Sequence, residues 1–174
     1  MIEIEVKIKI ENLEEITQRI LDLDAVLDRD RHREENTLYD FANKDLYKKN
    51  CALRVRKINR KIFLTFKGST QKSRKFKIRE EYETEVKNEK QLKKILKSLS
   101  LQPVFTYNKY RTVFRKKRLK ICLDETSIGN YLELEGQQNE IVRFAEALQL
   151  SKKDFIKKDY IQLIKDQKKS SGNK

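Results

Sequence analysis

Histidine and cysteine are nearly absent from this chain of 174 residues, which contains one His and two Cys. A single imidazole, that of His32, removes most catalytic schemes in which histidines exchange protons. Cys51 and Cys122 stand apart, without the close spacing of a zinc-binding pair, so we expect no zinc site and two reduced structural thiols. His32 falls in the densely charged segment 28–35, which we predict to be a solvated loop.

Long apolar runs are also lacking. No segment reaches about 18 consecutive apolar residues and no signal-peptide core is recognisable, so we expect a cytoplasmic protein without a membrane partner. Charged residues make up 39% of the chain and apolar residues only 37%. The apolar residues nevertheless recur at regular intervals, which is typical of a folded protein rather than a disordered one. The length fits a single domain, predicted at residues 1–168, with a flexible tail at 169–174.

Acidic residues are fewer than basic residues in this chain. The formal net charge of the chain is +14. A surplus of this size predicts a polyanionic partner, such as nucleic acid, an anionic membrane surface or a small polyphosphate.

The first ten residues alternate between apolar and charged side chains without a break, which predicts a strand with two different faces. Glu3, Glu5, Lys7 and Lys9 share the charged face. Two carboxylates on one strand face suit a hard cation, and the two lysines suit phosphate oxygens. The alternative is an amphipathic edge strand whose charged face is solvated.

Four amphipathic helices are predicted from apolar residues at helical spacing. The first spans residues 13–25 after the cap residue Asn12, and the second follows Asn88. Two more helices close the chain, with Asn139 and Ser151 as their predicted caps.

About eight strand-like segments combine one aliphatic face with one face of mixed charge. Helices that cover the aliphatic faces leave the charged faces together, and an antiparallel sheet of this size can curl into a barrel. We therefore predict an α+β protein built on an eight-stranded antiparallel β-barrel with a charged lumen and about four flanking helices. Carboxylates and an excess of Lys and Arg in one cavity suit a metal ion bound together with a polyphosphate.

Seven motifs in register resemble the CYTH superfamily, the triphosphate tunnel metalloenzymes, over residues 1–165. The first motif is Glu3-x-Glu5-x-Lys7. The others are Arg54-Val-Arg56, Leu-Thr-Phe-Lys67-Gly68, Arg79-x-Glu81-x-Glu83, Lys109-x-Arg111, Cys-Leu-Asp124 and Leu-Glu133-Leu-Glu135. The resemblance implies an eight-stranded β-tunnel flanked by helices, in agreement with the pattern of the strands.

The resemblance also implies roles for individual residues. It implies that Mg²⁺ or Mn²⁺ is held by Glu3, Glu5, Glu133 and Glu135. It implies that the triphosphate is bound by Lys7, Arg54, Arg56, Lys67, Arg79, Lys109 and Arg111, with Lys158 as a further candidate. Lys7, Glu81 and Asp124 are the candidate catalytic residues, and Glu81, Glu83 and Asp124 are alternatively metal ligands or carboxylates that orient the cations. The segment from Asn36 to Tyr39 departs from the Asp-Thr-Tyr-Phe pattern of the family, so residue 36 is assigned no contact.

The chemistry that the resemblance implies is metal-assisted attack at phosphorus. The first expectation is a class IV adenylyl cyclase-like enzyme that converts ATP into cyclic AMP and pyrophosphate. The alternatives are a triphosphatase acting on tripolyphosphate, thiamine triphosphate or a nucleotide, and a module that binds polyphosphate or RNA ends without turnover. Paired carboxylates would repel a polyanion unless a metal intervenes, which argues against the binding module, and we expect no nucleic-acid partner. A monomer and a homodimer are both compatible with the sequence.

Overall fold

The computed structural model describes residues 2–171, apart from the side chains of residues 168, 170 and 171, and this part holds eight strands and five α-helices. The strands are β1 (Ile2–Ile10), β2 (Val26–Asp40), β3 (Ala52–Ile58), β4 (Lys61–Lys67), β5 (Lys77–Val86), β6 (Gln102–Lys116), β7 (Leu119–Thr126) and β8 (Gly129–Glu135). The helices are α1 (Leu13–Asp22), α2 (Asp45–Lys48), α3 (Glu89–Ser98), α4 (Gln138–Ala147) and α5 (Tyr160–Ser171), with a short 3-10 helix at Lys152–Asp154.

The eight strands form one closed barrel in the order β1-β5-β4-β3-β2-β6-β7-β8. The neighbouring strands whose registers are described run antiparallel. The predicted fold class is therefore confirmed, and helix α2 is the element added to the four predicted helices. None of the helices between residues 2 and 171 is long and apolar enough to cross a membrane.

The described chain divides into two compact units, each with its own apolar core. The first unit comprises residues 2–3, 32–72 and 78–109, and the second comprises residues 4–31, 73–77 and 110–171. In the second unit, α1 and α4 pack on the aliphatic faces of β1, β7 and β8, where Ile8, Ile20, Ile121, Leu132 and Ile141 are fully buried. In the first unit, α3 contributes Leu92 and Leu96 to a smaller core with Tyr39, Val55 and Ile62.

Two of the predicted helix caps are confirmed. The Oδ1 atom of Asn12 accepts hydrogen bonds from the backbone N–H groups of Glu14 and Glu15, both at 3.1 Å. Asn88 accepts one from the backbone N–H of Gln91 at 3.0 Å. Helix α1 ends at Asp22, three residues before the predicted end.

The two predicted caps near the end of the chain are wrong in detail. The cap position of α4 is Gln137 and not Asn139, which lies inside the first turn. Ser151 forms a capping box with Asp154, but this box begins only the short 3-10 helix. The predicted last helix is interrupted because Ile156 exchanges two backbone hydrogen bonds with Lys7, which requires extended backbone at that point.

The last helix begins instead at Tyr160. Asp159 Oδ1 accepts a hydrogen bond from the backbone N–H of Gln162 at 2.9 Å, and Gln162 Oε1 accepts one from the backbone N–H of Asp159 at 3.0 Å. This reciprocal pair is a capping arrangement that stabilises the first turn. Helix α5 continues to Ser171, beyond the predicted domain end at residue 168, and the rest of the predicted tail lies outside the described residues. The predicted domain boundary stays a prediction.

The predicted loop at 28–35 is wrong, because these residues belong to the 15-residue strand β2. His32, Glu34 and Asn36 are buried on one face of this strand, whereas Arg33 on the other face is exposed. Apolar alternation is the usual signal of a strand. Here both faces carry polar residues up to residue 37, so that signal is missing.

Candidate functional site

Each unit of the fold contains a buried network of charged side chains on the strand faces that turn away from its apolar core. On β1, Glu3, Glu5 and Lys7 are each less than 10% exposed, whereas Lys9 is exposed. The alternative of a solvated charged face is therefore wrong for all but the end of this strand. Burial of ionised groups is unfavourable unless they are paired, so the pairing of each group decides what the networks can do.

In the second unit, Lys7 lies between two carboxylates. The register of β1 and β8 places Lys7 opposite Glu133 and Glu5 opposite Glu135. The Nζ atom of Lys7 is 3.1 Å from Glu5 Oε1 and 3.0 Å from Glu133 Oε2. Burial alone would lower the pKa of Lys7, but Glu133 and Glu5 outweigh burial and raise this pKa above its usual value. Lys7 is therefore a permanent cation, suited to binding phosphate and not to accepting a proton.

Arg111 on β6 makes a forked contact with Asp124 on β7. Its Nε and Nη2 atoms donate to the two oxygens of Asp124, each at 2.5 Å, and Nη2 also donates to Glu133 Oε1 at 2.8 Å. Two parallel charge-assisted hydrogen bonds hold a guanidinium in one orientation. Asp124 therefore fixes the position of Arg111, which favours an orienting role for Asp124 over the role of a general base.

Tyr160 completes this contact and was not among the residues predicted from the sequence. Its hydroxyl donates to Asp124 Oδ2 at 2.6 Å, and its ring centroid lies 5.3 Å from Lys7 Nζ. Burial, together with the charge of Asp124, raises the pKa of Tyr160 well above its usual value, so the hydroxyl remains a donor. The apolar spacing of the last helix indicated a core role for Tyr160, and no sequence signal pointed to its hydroxyl.

Lys77 is a second residue that the sequence prediction missed. It is buried at the start of β5, where its Nζ lies 3.6 Å from Glu5 Oε1 and 3.5 Å from Asp159 Oδ2. The strand was predicted to begin at Arg79, although Lys77 continues the same alternation two residues earlier.

In the first unit, Lys67 joins two carboxylates. Its Nζ donates to both oxygens of Glu3 at 2.9 Å and to Glu81 Oε2 at 2.5 Å. Arg79 Nε donates to Glu3 Oε2 at 3.3 Å. These contacts bring together four of the residues that the sequence predicted for the site.

Glu3 and Glu81 differ in their affinity for a proton although they share Lys67. Burial would raise the pKa of Glu3, but Lys67, a hydrogen bond with Glu81 and Arg79 lower it below its usual range. Burial, with the hydrogen bond to Glu3, raises the pKa of Glu81 to about 7. A carboxyl group that is partly protonated near neutral pH is suited to general acid–base work.

This pKa shift predicts a pH-dependent term in the stability of the protein. The pKa of Glu81 in the folded state lies above the usual 4.5, so its stabilising contribution is complete below pH 4.5 and is lost as the pH rises to about 7. Glu81→Gln keeps the neutral form at every pH. As the pH rises from 4.5 to about 7, we expect the free energy of unfolding of this variant to increase relative to that of the wild type, by at most about 1.4 kcal/mol per pH unit.

Urea denaturation at several pH values between 4.5 and 8 measures this difference. Glu80→Gln is the matched control, because Glu80 is exposed and precedes Glu81 on the same strand. A difference between Glu81→Gln and wild type that does not change with pH would contradict the raised pKa.

A further group in the first unit surrounds Arg54 and Arg56. Arg56 Nη2 donates to both oxygens of Glu83 at 2.8 Å, and its Nη1 donates to Glu34 Oε1 at 3.3 Å. Arg54 Nη2 lies 3.5 Å from Glu83 Oε2 and donates to Thr65 at 3.4 Å.

Lys109 belongs to the same unit and lies 3.4 Å from the second oxygen of Glu34. Glu34 is buried among polar neighbours, and the sequence prediction missed it because its segment was taken as a loop.

Two of the predicted site residues are less buried than the others. Glu135 is half-buried and accepts a hydrogen bond from Lys120 Nζ at 2.8 Å. Lys158 is exposed and pairs with Asp166 at 2.8 Å, so the structure places it apart from the buried network of its unit. The expectation that Glu3 shares one cavity with Glu5, Glu133 and Glu135 stays a prediction.

The two cysteines are both free thiols, as expected. Cys122 lies between Lys120 and Asp124 on the charged face of β7 and is fully buried. Burial raises its pKa to about 11, so it remains a neutral thiol at physiological pH. This protonation state excludes a nucleophilic thiolate at this position.

The buried carboxylates are the candidate ligands for a divalent metal. Between residues 2 and 171, no three Asp, Glu, His or Cys side chains are grouped as a preformed metal cage. Mg²⁺ usually binds through one or two carboxylates, with substrate phosphates and water completing its shell. Glu5 and Glu133 contact the same ammonium group from neighbouring strands, and their hard oxygens fit this mode.

Comparisons with known proteins identify relatives of this chain. A family model described as the CYTH domain matches residues 1–160. A protein of Methanocaldococcus jannaschii, whose name proposes an adenylate cyclase, is 26% identical over 174 residues and aligns with 94% of this chain and 98% of its own length.

Solved structures share the fold. A protein from Vibrio parahaemolyticus, described as a proposed adenylate cyclase, has a TM-score of 0.85 at 16% identity over 95% of this chain and 98% of its own. A Hippeastrum protein, described as a proposed adenylyl cyclase with a dominant triphosphatase activity, has a TM-score of 0.68 at 19% identity over 94% of this chain and 95% of its own. At these identities the likeness shows the fold alone.

Proposed function

Because the chain belongs to the CYTH family, we propose that it is a divalent-metal-dependent enzyme acting on triphosphates, with conversion of ATP into cyclic AMP and pyrophosphate as the first candidate reaction. The name of the Methanocaldococcus jannaschii relative supports the cyclase. A cytoplasmic location and a monomeric or homodimeric state are parts of the same proposal.

The observation that carries the proposal is the burial of Lys7 between Glu5 and Glu133. An apolar side chain in place of such a buried ion pair is often neutral or stabilising, so stability alone does not account for it. A substrate phosphate that takes over Lys7 would release both carboxylates toward a metal ion. Lys7 and its two carboxylate partners are therefore suited to exchange their contacts with each other for contacts with a phosphate and a metal ion.

Within each unit taken by itself, we assign the phosphate-binding role to buried and half-buried cations. They are Lys7, Arg54, Arg56, Lys67, Arg79, Lys109 and Arg111, to which the structure adds Lys77 as a candidate. Metal binding is assigned to Glu5 and Glu133, with Glu3 and Glu135 as further candidates. Bound Mg²⁺ or Mn²⁺ would neutralise phosphate charge and thereby favour attack at phosphorus.

Proton transfer is assigned to Glu81, since its pKa of about 7 suits both acceptance and donation of a proton. The hydrogen bonds that Asp124 accepts from Arg111 and Tyr160 support a positioning role for Asp124. Lys7 acts as a fixed positive charge.

Hydrolysis of a triphosphate is the second candidate reaction. The same cations would hold the phosphate chain while water, and not the ATP 3′-hydroxyl, attacks phosphorus. The cation network serves both reactions, so the nature of the product decides between them. Binding without turnover is the third possibility.

The test is incubation of the purified chain with Mg²⁺ or Mn²⁺ and ATP, tripolyphosphate or thiamine triphosphate. Cyclic AMP with pyrophosphate identifies the cyclase, and inorganic phosphate identifies the hydrolase. Tight binding with neither product would leave a binding module. Failure of every triphosphate to bind or react would overturn the proposal.

Lys7→Met is expected to reduce kcat/KM by about a hundredfold or more, because it removes a buried cation that holds the phosphates in both the ground state and the transition state. Lys9→Met is the matched control, since Lys9 is exposed on the same strand. Steady-state kinetics on both variants measure the difference. Equal activity of the two variants would remove Lys7 from the site.

A further inference from the structure

Asn36 on β2 is fully buried, yet neither its Oδ1 nor its Nδ2 has a hydrogen-bond partner among the described residues. A buried amide that is left unsatisfied lowers the free energy of unfolding, and such groups are rare in folded proteins. The amide is thus the kind of group that a ligand or an ordered water would complete.

The strand register shows what lies beside this amide. Asn36 is directly opposite Arg56 on β3, and Leu38 is opposite Arg54, so Arg54 is the diagonal neighbour of Asn36 on the same face. The Nε atoms of both arginines are also buried without a hydrogen-bond partner in the described part of the chain. Their Nη atoms are engaged by Glu83, Glu34 and Thr65.

Three buried N–H donor groups therefore lie on adjacent positions of two strands within one unit: the amide of Asn36 and the Nε–H groups of the two arginines. Donors without acceptors select an anion with several oxygens, and two guanidinium groups add the charge that such an anion needs. A neutral carboxamide can donate to a phosphate oxygen, whereas a carboxylate at this position would repel it.

We propose that Asn36 is a substrate-binding residue whose Nδ2 donates to a non-bridging phosphate oxygen held by Arg54 and Arg56. This inference rests on the proposed function and adds to it a residue that the sequence assigned no contact. A water molecule or ligand hydroxyl next to that oxygen would donate to Oδ1. Asn36 then fixes the orientation of one phosphate group while the arginines neutralise it.

Asn36→Leu separates this role from a structural one, because Leu has the same number and branching of side-chain heavy atoms and no polar atoms. We expect the variant to melt about 3 °C higher than the wild type without ligand, since an unsatisfied polar group is removed. We expect its Kd for Mg²⁺-tripolyphosphate, measured by calorimetry, to be at least about tenfold weaker. A structural amide satisfied by an internal water would give the opposite pattern, with lower melting temperature and unchanged Kd.

Asn36→Asp is the second variant, and it decides the question if the Leu variant does not fold. It keeps the size of the side chain but replaces the donor with a negative charge, so its Kd should weaken more than that of Asn36→Leu. Asn108→Leu, at an exposed position of β6 in the same unit, is the matched control and should bind like the wild type.

Binding of tripolyphosphate to wild type with equal affinity in both Asn36 variants would overturn the inference and leave the proposed function intact. Absence of binding to wild type would overturn both.

Discussion

Replacement of Arg111 by Ala is expected to lower kcat/KM by about a hundredfold to a thousandfold, with a higher KM and a lower kcat together. Arg111 is held in one orientation by Asp124 and also contacts Glu133, so its position is set before substrate binds. A cation fixed in this way stabilises negative charge on phosphate in both the bound substrate and the transition state. If the proposed activity is found, steady-state kinetics with the triphosphate that the wild type converts will measure both constants.

The Ala variant also removes the guanidinium that pairs with the buried carboxylates of Asp124 and Glu133, which is destabilising although Tyr160 still donates to Asp124 and Lys7 still pairs with Glu133. Circular dichroism and thermal melting must therefore accompany the kinetics. Arg111→Lys keeps the charge but cannot form the forked contact, so it should recover only part of the activity.

Arg115→Ala is the control on the same strand, where Arg115 is exposed and pairs with Asp28 at 3.1 Å. It should behave like the wild type. A folded Arg111→Ala protein with wild-type kinetics would remove Arg111 from the site.

The second large effect is expected from Glu5→Gln, which keeps the size of the side chain but removes a negative oxygen ligand. If Glu5 binds Mg²⁺ or Mn²⁺, the metal concentration for half-maximal activity should rise about tenfold or more, and the rate at fixed low metal should fall on the order of a hundredfold. Titration of activity with each metal at saturating substrate measures the change.

The alternative role of Glu5 is electrostatic, because it lies 3.1 Å from Lys7 Nζ and 3.6 Å from Lys77 Nζ. After the substitution, Lys7 still forms its ion pair with Glu133, and Lys77 still forms its ion pair with Asp159. The fold is therefore expected to survive with a lower melting temperature. A variant that melts lower but responds normally to metal would show that Glu5 is only a partner for the lysines.

Glu11→Gln is the control for this experiment. Glu11 is exposed directly after β1, and loss of its charge should leave both the metal response and the melting temperature unchanged.

Some features of the fold could be predicted because they depend on local pattern. Asn12 and Asn88 cap their helices through their own side chains, which bond to backbone N–H groups two or three residues later. The alternation of β1 predicted a charged face with Glu5 and Lys7, and the structure buries both. The seven motifs in register predicted the family, and the family model confirms it over residues 1–160.

Other features required knowledge of contacts between distant residues. The last helix was predicted to begin after Ser151, but the backbone pairing of Ile156 with Lys7 keeps that segment extended. The part of strand β2 at residues 28–35 was predicted as a loop because both of its faces are polar, whereas in the structure β2 lies between β3 and β6 in the barrel. Tyr160 reaches Asp124 across 36 residues of sequence, so no local pattern could reveal that contact.

By itself, the sequence determined the strand alternation of β1, the caps of α1 and α3, the surplus of positive charge and the set of acids and bases that the family resemblance names. These properties follow from the residue types and their spacing along the chain. The tertiary structure alone decided which acid pairs with which base, and hence that Asp124 orients Arg111 and that the pKa of Glu81 is raised to about 7. It also decided that the buried side chain of Asn36 has no hydrogen-bond partner among the residues that the structure describes. The reason is physical: pairing, desolvation and hydrogen-bond satisfaction depend on distances in space, and strand register sets those distances between residues that are far apart in the sequence.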